Sequence, residues 1–267
     1  METSHNPRSD LTLGAQSRQR FTVRKVLVIH ATVWEALLES RSRSPLLHAG
    51  VRGVSPPNTR YPGAQVWILQ VHPSRTVSGY IHSGDSDLAF AERALAKKNQ
   101  CDFFCMLFEE AIRAKLQEFQ LGTCQWVWFK PKVPSVFLES NMAEPSESEI
   151  AAGLLSLPPV SHSVLEIRPR NDVVLVLDGT AAQFGWAGQI HAKQEVEQER
   201  QASPGMEKVL YSTKLWLELY LDWNQRMMKR KLEGYLGELN WAALAMLEEP
   251  DLSEVVFAEA ATYFSRT

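Results

Sequence analysis

The chain has 267 residues, of which 45% are apolar, enough for one large packed domain with an appendage. Its 28 basic and 31 acidic residues give a net charge of −3, and no lysine or arginine run is long enough to follow a phosphate backbone. We therefore expect no nucleic-acid partner. We also expect no membrane association, because no stretch reaches the roughly 20 apolar residues of a membrane span.

The N-terminal residues and the cysteines bear on the compartment. Residues 1–19 are mostly polar and show no apolar signal-peptide core, so we interpret them as a disordered leader. The three cysteines, Cys101, Cys105 and Cys124, are an odd number, which is not typical of a disulfide framework. Together these features favour a reducing, cytoplasmic location.

The first folded segment is expected to be a strand followed by a helix. The β-branched run Phe21–His30 predicts the strand, and the apolar spacing over Ala31–Arg41 predicts the helix. Residues 42–62 are rich in Ser, Pro, Gly and Arg and predict a loop. A buried strand, a short strand and a helix that starts at Asp85 or Ser86 are predicted next, over Ala64–Val71, Val77–Ile81 and Asp85–Asn99.

The segment that begins at Cys101 predicts the best-defined helix. Its apolar side chains recur at helical spacing over Cys101–Phe119, and Gly122 is a stop signal. A strand rich in aromatic residues is predicted over Thr123–Pro131. Residues 133–161 are acidic and interrupted by prolines, and we interpret them as an insertion with one helical piece that can cover a site.

Residues 162–186, HSVLEIRPRNDVVLVLDGTAAQFGW, predict a β-hairpin with a polar residue at each end. A turn centred on Arg170 places His162 opposite Asp178, about 5 Å apart between Cβ atoms, close enough for an imidazole to carboxylate hydrogen bond. The register sorts the side chains into two faces: Ser163, Leu165, Ile167, Val173, Leu175 and Leu177 on one, and His162, Val164, Glu166, Val174, Val176 and Asp178 on the other. Histidine and aspartate are also common at the ends of strands simply because they suit turns. A hairpin with two polar ends and no catalytic role therefore stays an open alternative.

Cys101 occupies the first turn of the predicted helix. A helix N-terminus offers free N–H groups and partial positive charge, which favour a thiolate and can hold an oxyanion. A carboxylate at Asp178 would fix the tautomer of His162 and stabilise its charged form, as a general base requires. We therefore hypothesise that Cys101 is a nucleophile served by His162. A buried structural cysteine is the alternative for Cys101.

The chain order of these residues resembles the papain-like and transglutaminase-like thiol enzymes. The stretch HSVLEIRPRNDVVLVLDGT is similar to their His-strand-turn-strand-Asp-x-Thr element, and the resemblance covers about Asn99–Gly185. It implies an α+β fold in which a small antiparallel sheet packs on the cysteine helix, with further helices at the C-terminus. It also implies Cys101 as nucleophile, His162 as base and Asp178 as the residue that orients the histidine.

Two short stretches, NQCDFFC and DGTAAQFGW, are also similar to a group of uncharacterised proteins of filamentous fungi. Some members of that group add a MYND zinc finger, whose cysteine set is absent from this sequence. This likeness suggests an accessory protein of a biosynthetic pathway as one further hypothesis.

The sequence contains no motif that is typical of several other kinds of enzyme chemistry. A serine nucleophile elbow, a P-loop and a dinucleotide-binding fingerprint are all absent, so we expect no cofactor. Cys101 and Cys105 lie four residues apart, but the seven histidines are scattered and no four-ligand set is recognisable. We therefore expect no metal.

The C-terminal quarter is expected to be helical. We predict an α+β core over 20–190, a polar linker over 191–206 and helices packed on the core over 207–267. These helices carry a broad apolar surface made of Leu215, Trp216, Leu219, Trp223, Met227, Met228, Leu232, Tyr235 and Leu236. Packing on the chain's own core is one interpretation of this surface, and binding of a partner helix is the other.

The function expected from these features is thiol-dependent acyl transfer, by a hydrolase, deamidase or transferase. Its substrate, a small molecule or a protein, stays unknown. The alternative is a binding or scaffolding module that keeps the same fold without catalysis.

Overall fold

The computed structural model describes residues 21–80, 87–141, 145–157 and 160–266. Within these residues the chain is a mixed α+β fold. The predicted leader at 1–19 and the predicted helix start at Asp85 or Ser86 lie outside them. Among the described helices, none combines the length and the apolar character that crossing a membrane requires.

The elements alternate along most of the chain and end in helices. The helices are α1 (Val23–Ser40), α2 (Asp87–Lys97), α3 (Cys101–Glu118), α4 (Glu147–Ser156), α5 (Lys193–Glu195), α6 (Tyr211–Leu219), α7 (Trp223–Glu238), α8 (Trp241–Leu244) and α9 (Glu249–Ser265). The strands are β1 (Ser42–Arg43), β2 (Leu46–Val54), β3 (Gln65–Val71), β4 (Val77–Ser78), β5 (Gly122–Phe129), β6 (Ser135–Asn141), β7 (His162–Pro169), β8 (Leu175–Leu177), β9 (Ile190–Ala192) and β10 (Glu207–Lys208). A 3₁₀ turn spans Ala181–Phe184, and α5 continues as a π-helical turn over Val196–Arg200.

The main core lies on one face of a five-stranded antiparallel sheet with the strand order β10-β5-β7-β8-β9. Helices α1 and α3 and the C-terminal helices cover this face, and their apolar side chains form one buried cluster with Trp126, Leu165 and Ile167. Val164 and Val176 point to the other face, where they pack with Val196. Burial on both faces explains why apolar residues are adjacent in these strands, as Val164 and Leu165 are in β7.

A second sheet has the strand order β2-β3-β6. Strand β3 pairs antiparallel with β2 and parallel with β6. Residues of α2 pack on one face, around Trp67 and Phe137, while residues of α4 pack on the other face, around Ile68 and Val136. Strands β1 and β4 form a separate two-stranded pair.

The strand predicted for Phe21–His30 is wrong, because α1 continues through it. Thr22 caps this helix by accepting a hydrogen bond from the Lys25 amide. Helix α1 is buried on nearly all sides, with Val26, Ile29 and Trp34 fully shielded from solvent. The surrounding helices and sheet therefore outweigh the β propensity of the β-branched residues.

Two further stretches differ from the prediction. Residues 42–62 contain strands β1 and β2, and residues 133–161 contain strand β6. Strand β2 is largely exposed and is interrupted by register shifts, one of them next to Gly53, which has a φ of 127°. Such a strand lacks the alternating pattern that reveals half-buried strands in a sequence.

Four further predicted elements are confirmed. The buried strand, the cysteine helix and the aromatic strand correspond to β3, α3 and β5, and the helical piece of the insertion is α4. In the segment expected to be a polar linker, residues 193–200 are helical, and Val196, Arg200 and Gln201 are buried. This segment packs against the sheet through Val196, and the Arg200 guanidinium donates a hydrogen bond of 3.0 Å to the carbonyl oxygen of Ala187.

The C-terminal helices divide the predicted apolar surface. Leu232 and Tyr235 of α7 are buried in the main core, together with Leu252 and Val256 of α9. The portion that includes Trp216 and Trp223 is exposed.

Candidate functional site

Strand β7 begins with His162, and Asp178 directly follows β8. The predicted hairpin register is wrong by two residues, because Leu165 pairs with Leu177, and the connection between the strands is longer than expected. A register shift by an even number of residues leaves every side chain on its original face of the sheet. The prediction that Leu165 and Val164 lie on opposite faces is therefore confirmed. His162 and Asp178 are therefore diagonal neighbours rather than a directly opposed pair.

The side chains of His162 and Asp178 nevertheless meet. His162 Nε2 donates a hydrogen bond of 2.8 Å to Asp178 Oδ2. The histidine is 0% exposed and the aspartate 2% exposed, so this bond is shielded from water. Because a carboxylate is only an acceptor, it holds the proton on Nε2 and leaves Nδ1 to face other groups.

The loop after β8 holds Asp178 in place. Its Oδ1 accepts a hydrogen bond of 3.0 Å from the Thr180 amide. The carbonyl oxygen of Gly179 accepts a bond of 2.8 Å from the Trp34 indole. A Cβ atom at Gly179 would lie 2.4 Å from the Phe104 ring, so only glycine lets this loop approach helix α3 so closely.

Cys101 is the first residue of α3, and an interaction of its side chain with the His162 ring helps to raise the pKa of the histidine. The neighbouring pair makes a second link between the same two elements, because Ser163 Oγ donates a hydrogen bond to Asp102. The Gln100 side chain, at the N-cap position, accepts a bond of 3.1 Å from Arg41 instead of capping α3. The first-turn N–H groups of α3 therefore remain available to a ligand.

Burial and nearby charge change the pKa of His162 in opposite directions. Burial alone would lower its pKa, but the Asp178 carboxylate and the Cys101 side chain more than reverse this and raise the pKa to about 10. Burial likewise tends to raise the pKa of Asp178, and the charge and hydrogen bond of His162 outweigh it, so that the pKa is lowered. At neutral pH the two side chains form a buried ion pair.

Aromatic rings enclose His162. Phe129, Phe184 and Trp186 have ring centroids 5.4, 4.8 and 5.7 Å from the imidazole centroid. The Arg200 guanidinium covers the Trp186 ring at 5.2 Å. This apolar shell strengthens the attraction between His162 and its carboxylate because it excludes water.

Gln183 is a site residue that the sequence reasoning missed. Its Oε1 accepts a hydrogen bond of 3.1 Å from the Asn99 backbone amide. Because that amide is a donor, the side-chain atom that faces it is the oxygen, and the other is the nitrogen. Its Nε2 then lies 3.0 Å from Thr180 Oγ1 and 3.5 Å from His162 Nδ1. The only sequence signal was its place in DGTAAQFGW, two residues after the start of the 3₁₀ turn.

A cleft of about 660 Å³ borders this arrangement. Val160 and Ser161, which directly precede His162, line it together with Trp186. Tyr61 and Pro131 also line it. Trp186 thus belongs both to the cleft and to the aromatic shell of His162.

The other two cysteines differ from Cys101. Burial raises the pKa of Cys105 and of Cys124, so both stay protonated thiols in the core. Over the described residues, no group of three or more His, Cys, Asp or Glu side chains is placed to hold a metal ion.

Comparisons of the chain with protein-family models, with curated proteins and with solved structures find no match in any of the three.

Proposed function

We propose that this protein is a thiol-dependent acyl-transfer enzyme, with Cys101 as nucleophile, His162 as acid and base, and Asp178 as the residue that orients His162. The observation that carries this proposal is the buried hydrogen bond between Asp178 and His162, whose imidazole also interacts with the thiol at the start of α3. A protonated His162 beside Cys101 favours the thiolate, which is the reactive form of cysteine.

In the first step the Cys101 thiolate donates an electron pair to the carbonyl carbon of the substrate, and the carbonyl π electrons move to oxygen. The first-turn N–H groups of α3 and the Gln183 amide offer donors for that oxyanion. The bond to the leaving group then breaks. The leaving group takes the proton of His162 Nδ1, and a thioester remains on Cys101.

In the second step neutral His162 removes a proton from the acceptor, which attacks the thioester and expels the Cys101 thiolate. Water as acceptor gives a carboxylic acid, as in a hydrolase or deamidase, and an amine gives a new amide, as in a transferase. The proton taken from the acceptor restores the charged form of His162.

The same proposal assigns the chain a papain-like arrangement. Support comes from Cys101 at the start of a central helix, His162 at the start of one strand and Asp178 after the next. The five-stranded antiparallel sheet packs on that helix through Leu165 and Phe108.

Alkylation with iodoacetamide, followed by mass spectrometry, tests the proposal. We expect Cys101 to react at about pH 6 nearly as fast as at about pH 8, because His162 stays protonated over this range. Cys105 and Cys124 serve as internal controls that stay unmodified. His162→Ala should slow the reaction at about pH 6 by at least about tenfold, whereas His48→Ala, at an exposed position, should leave it unchanged.

Two results would contradict the proposal. One is a Cys101 that reacts no faster at about pH 6 than an ordinary thiol. The other is an equal rate in the wild type and in His162→Ala.

A non-catalytic binding module is the second candidate, and the burial of the site favours it, since Cys101 is 9% exposed. Incubation with p-nitrophenyl acetate separates the two candidates. An enzyme of the proposed kind acquires an acetyl group on Cys101 and releases p-nitrophenol in an initial burst. A binding module does neither.

A further inference from the structure

Helix α6 turns its apolar side chains toward solvent. Tyr211, Leu215 and Leu219 recur at four-residue spacing, and Trp216 and Tyr220 continue the same side. The helix contains no buried residue. A helix on the surface of a monomer normally has the reverse orientation, with its apolar side on the core.

Contacts from the opposite side of α6 hold it in this orientation. Lys214 donates a hydrogen bond of 2.6 Å to Oε1 of the buried Glu109 carboxylate and also bonds its Oε2. Its ammonium lies 5.7 Å from the centroid of the Trp126 ring, and Leu217 packs against the main core. A charged anchor therefore fixes α6 with its apolar side outward.

The outward side of α6 forms one continuous apolar surface with the residues around it. This surface, called here the aromatic face, consists of Leu210, Tyr211, Leu215, Trp216, Leu219, Tyr220 and Trp223. The rings of Trp216 and Tyr220 contact each other with centroids 4.3 Å apart. Single exposed apolar residues are ordinary, but a contiguous surface of this kind marks an interface.

The size of the aromatic face is that of a stable interface. Its four Tyr and Trp residues are between 54% and 79% exposed, and each such side chain offers about 150–250 Å². With the three leucines the face presents roughly 800 Å², the area that one partner contributes to a standard interface.

The charged groups that touch the aromatic face are already partnered within the chain. Glu218 pairs with Lys229, and Asp222 caps α7 through the Gln225 amide. Arg226 donates hydrogen bonds to the carbonyl oxygens of Leu219 and Leu221. The residues around the aromatic face therefore carry no excess of positive or negative charge that would select an oppositely charged partner.

We propose that the aromatic face is the interface of a homodimer, in which a second copy of this chain covers it. A neutral apolar surface of this area is complementary to itself across a two-fold axis. A net charge of −3 opposes the approach of two copies only weakly. The proposal is independent of the acyl-transfer chemistry.

Sedimentation velocity of the full chain tests the dimer over a range from about 1 to about 100 μM. We expect a species of twice the 30.2 kDa chain mass. The double variant Trp216→Glu/Trp223→Glu should sediment as a monomer throughout and keep its far-ultraviolet circular dichroism, because both side chains are exposed in the single chain. Val173→Glu, at an exposed apolar residue outside the aromatic face, is the matched control and should remain dimeric.

Three outcomes would overturn the proposal. A wild-type chain that stays monomeric at about 100 μM excludes a stable dimer. A double variant that stays dimeric places the interface elsewhere. A monomeric chain that floats with vesicles of phosphatidylcholine and phosphatidylserine, but not after the double substitution, assigns the aromatic face to a lipid surface instead.

Discussion

His162 and His30 show how the same side chain acquires opposite properties when it is buried. His30 lies in the main core between the rings of Phe108 and Trp241, and its burial lowers its pKa to about 4. His162 is equally buried but faces the Asp178 carboxylate, so its pKa rises to about 10. The difference arises from the partner, since burial without a countercharge favours the neutral ring.

At the residue scale, Gln183→Leu separates oxyanion binding from thiolate formation. Its amide nitrogen lies beside His162 Nδ1, where the oxyanion of the proposed reaction would form. We expect acetylation of Cys101 by p-nitrophenyl acetate to slow by about 10²-fold, as the loss of one oxyanion donor typically does. Alkylation by iodoacetamide should keep its rate, because that reaction forms no oxyanion.

Asn99→Gly is the control for this variant, because glycine keeps the backbone amide that orients Gln183 and tolerates the φ of 57° at this position. An equal loss of acetylation and alkylation in Gln183→Leu would indicate a disturbed site and contradict the assigned role.

At the scale of the elements, the candidate site depends on a close approach between the loop after β8 and helix α3. Gly179→Ala would place a methyl group 2.4 Å from the buried Phe104 ring. We expect a loss of about 1–3 kcal/mol in the free energy of unfolding, because a packed core yields little to an added group. Urea denaturation followed by circular dichroism measures it.

Gly237→Ala is the matched control. A Cβ there meets no atom of the described residues within 4 Å, and the position lies in helix α7. This variant should gain about 0.5–1 kcal/mol, the usual preference for alanine over glycine in a helix. Equal stability of Gly179→Ala and the wild type would show that the loop can move away from α3 without cost.

At the scale of the whole molecule, the two buried histidines limit stability at opposite ends of the pH range. His30 has a lower pKa in the folded than in the unfolded chain, so its protonation favours unfolding as the pH falls from about 6.5 to about 4. His162 has the higher pKa in the folded chain. Its contribution is complete below about pH 6.5 and is lost as the pH rises toward about 10.

Replacement of His30 tests its contribution to the loss of stability at acidic pH. We expect His30→Leu to reduce the loss of stability between about pH 6.5 and about pH 4 by up to about 3 kcal/mol, because leucine cannot be protonated. Urea titrations at several pH values, compared with the exposed control His48→Leu, measure the difference. Identical pH slopes in the wild type and in His30→Leu would contradict the assignment.

Local patterns in the sequence were sufficient for the elements that they dominate. The amphipathic period predicted α3, and alternation predicted the two faces of the hairpin, because both periods follow from backbone geometry. The contact between His162 and Asp178 was predicted despite the two-residue error in register, because an even shift keeps both side chains on one face.

Only the tertiary structure decided features that depend on distant parts of the chain. Burial on nearly all sides makes Val23–His30 helical in spite of its β-branched residues. The Asn99 amide, 84 residues away in the sequence, directs Gln183 into the candidate site. In the C-terminal helices, the anchor between Lys214 and Glu109 determines that α6 exposes its aromatic side while α7 buries Tyr235. A sequence pattern specifies which side of a helix is apolar, but its neighbours in space decide whether that side meets the core, solvent or a second chain.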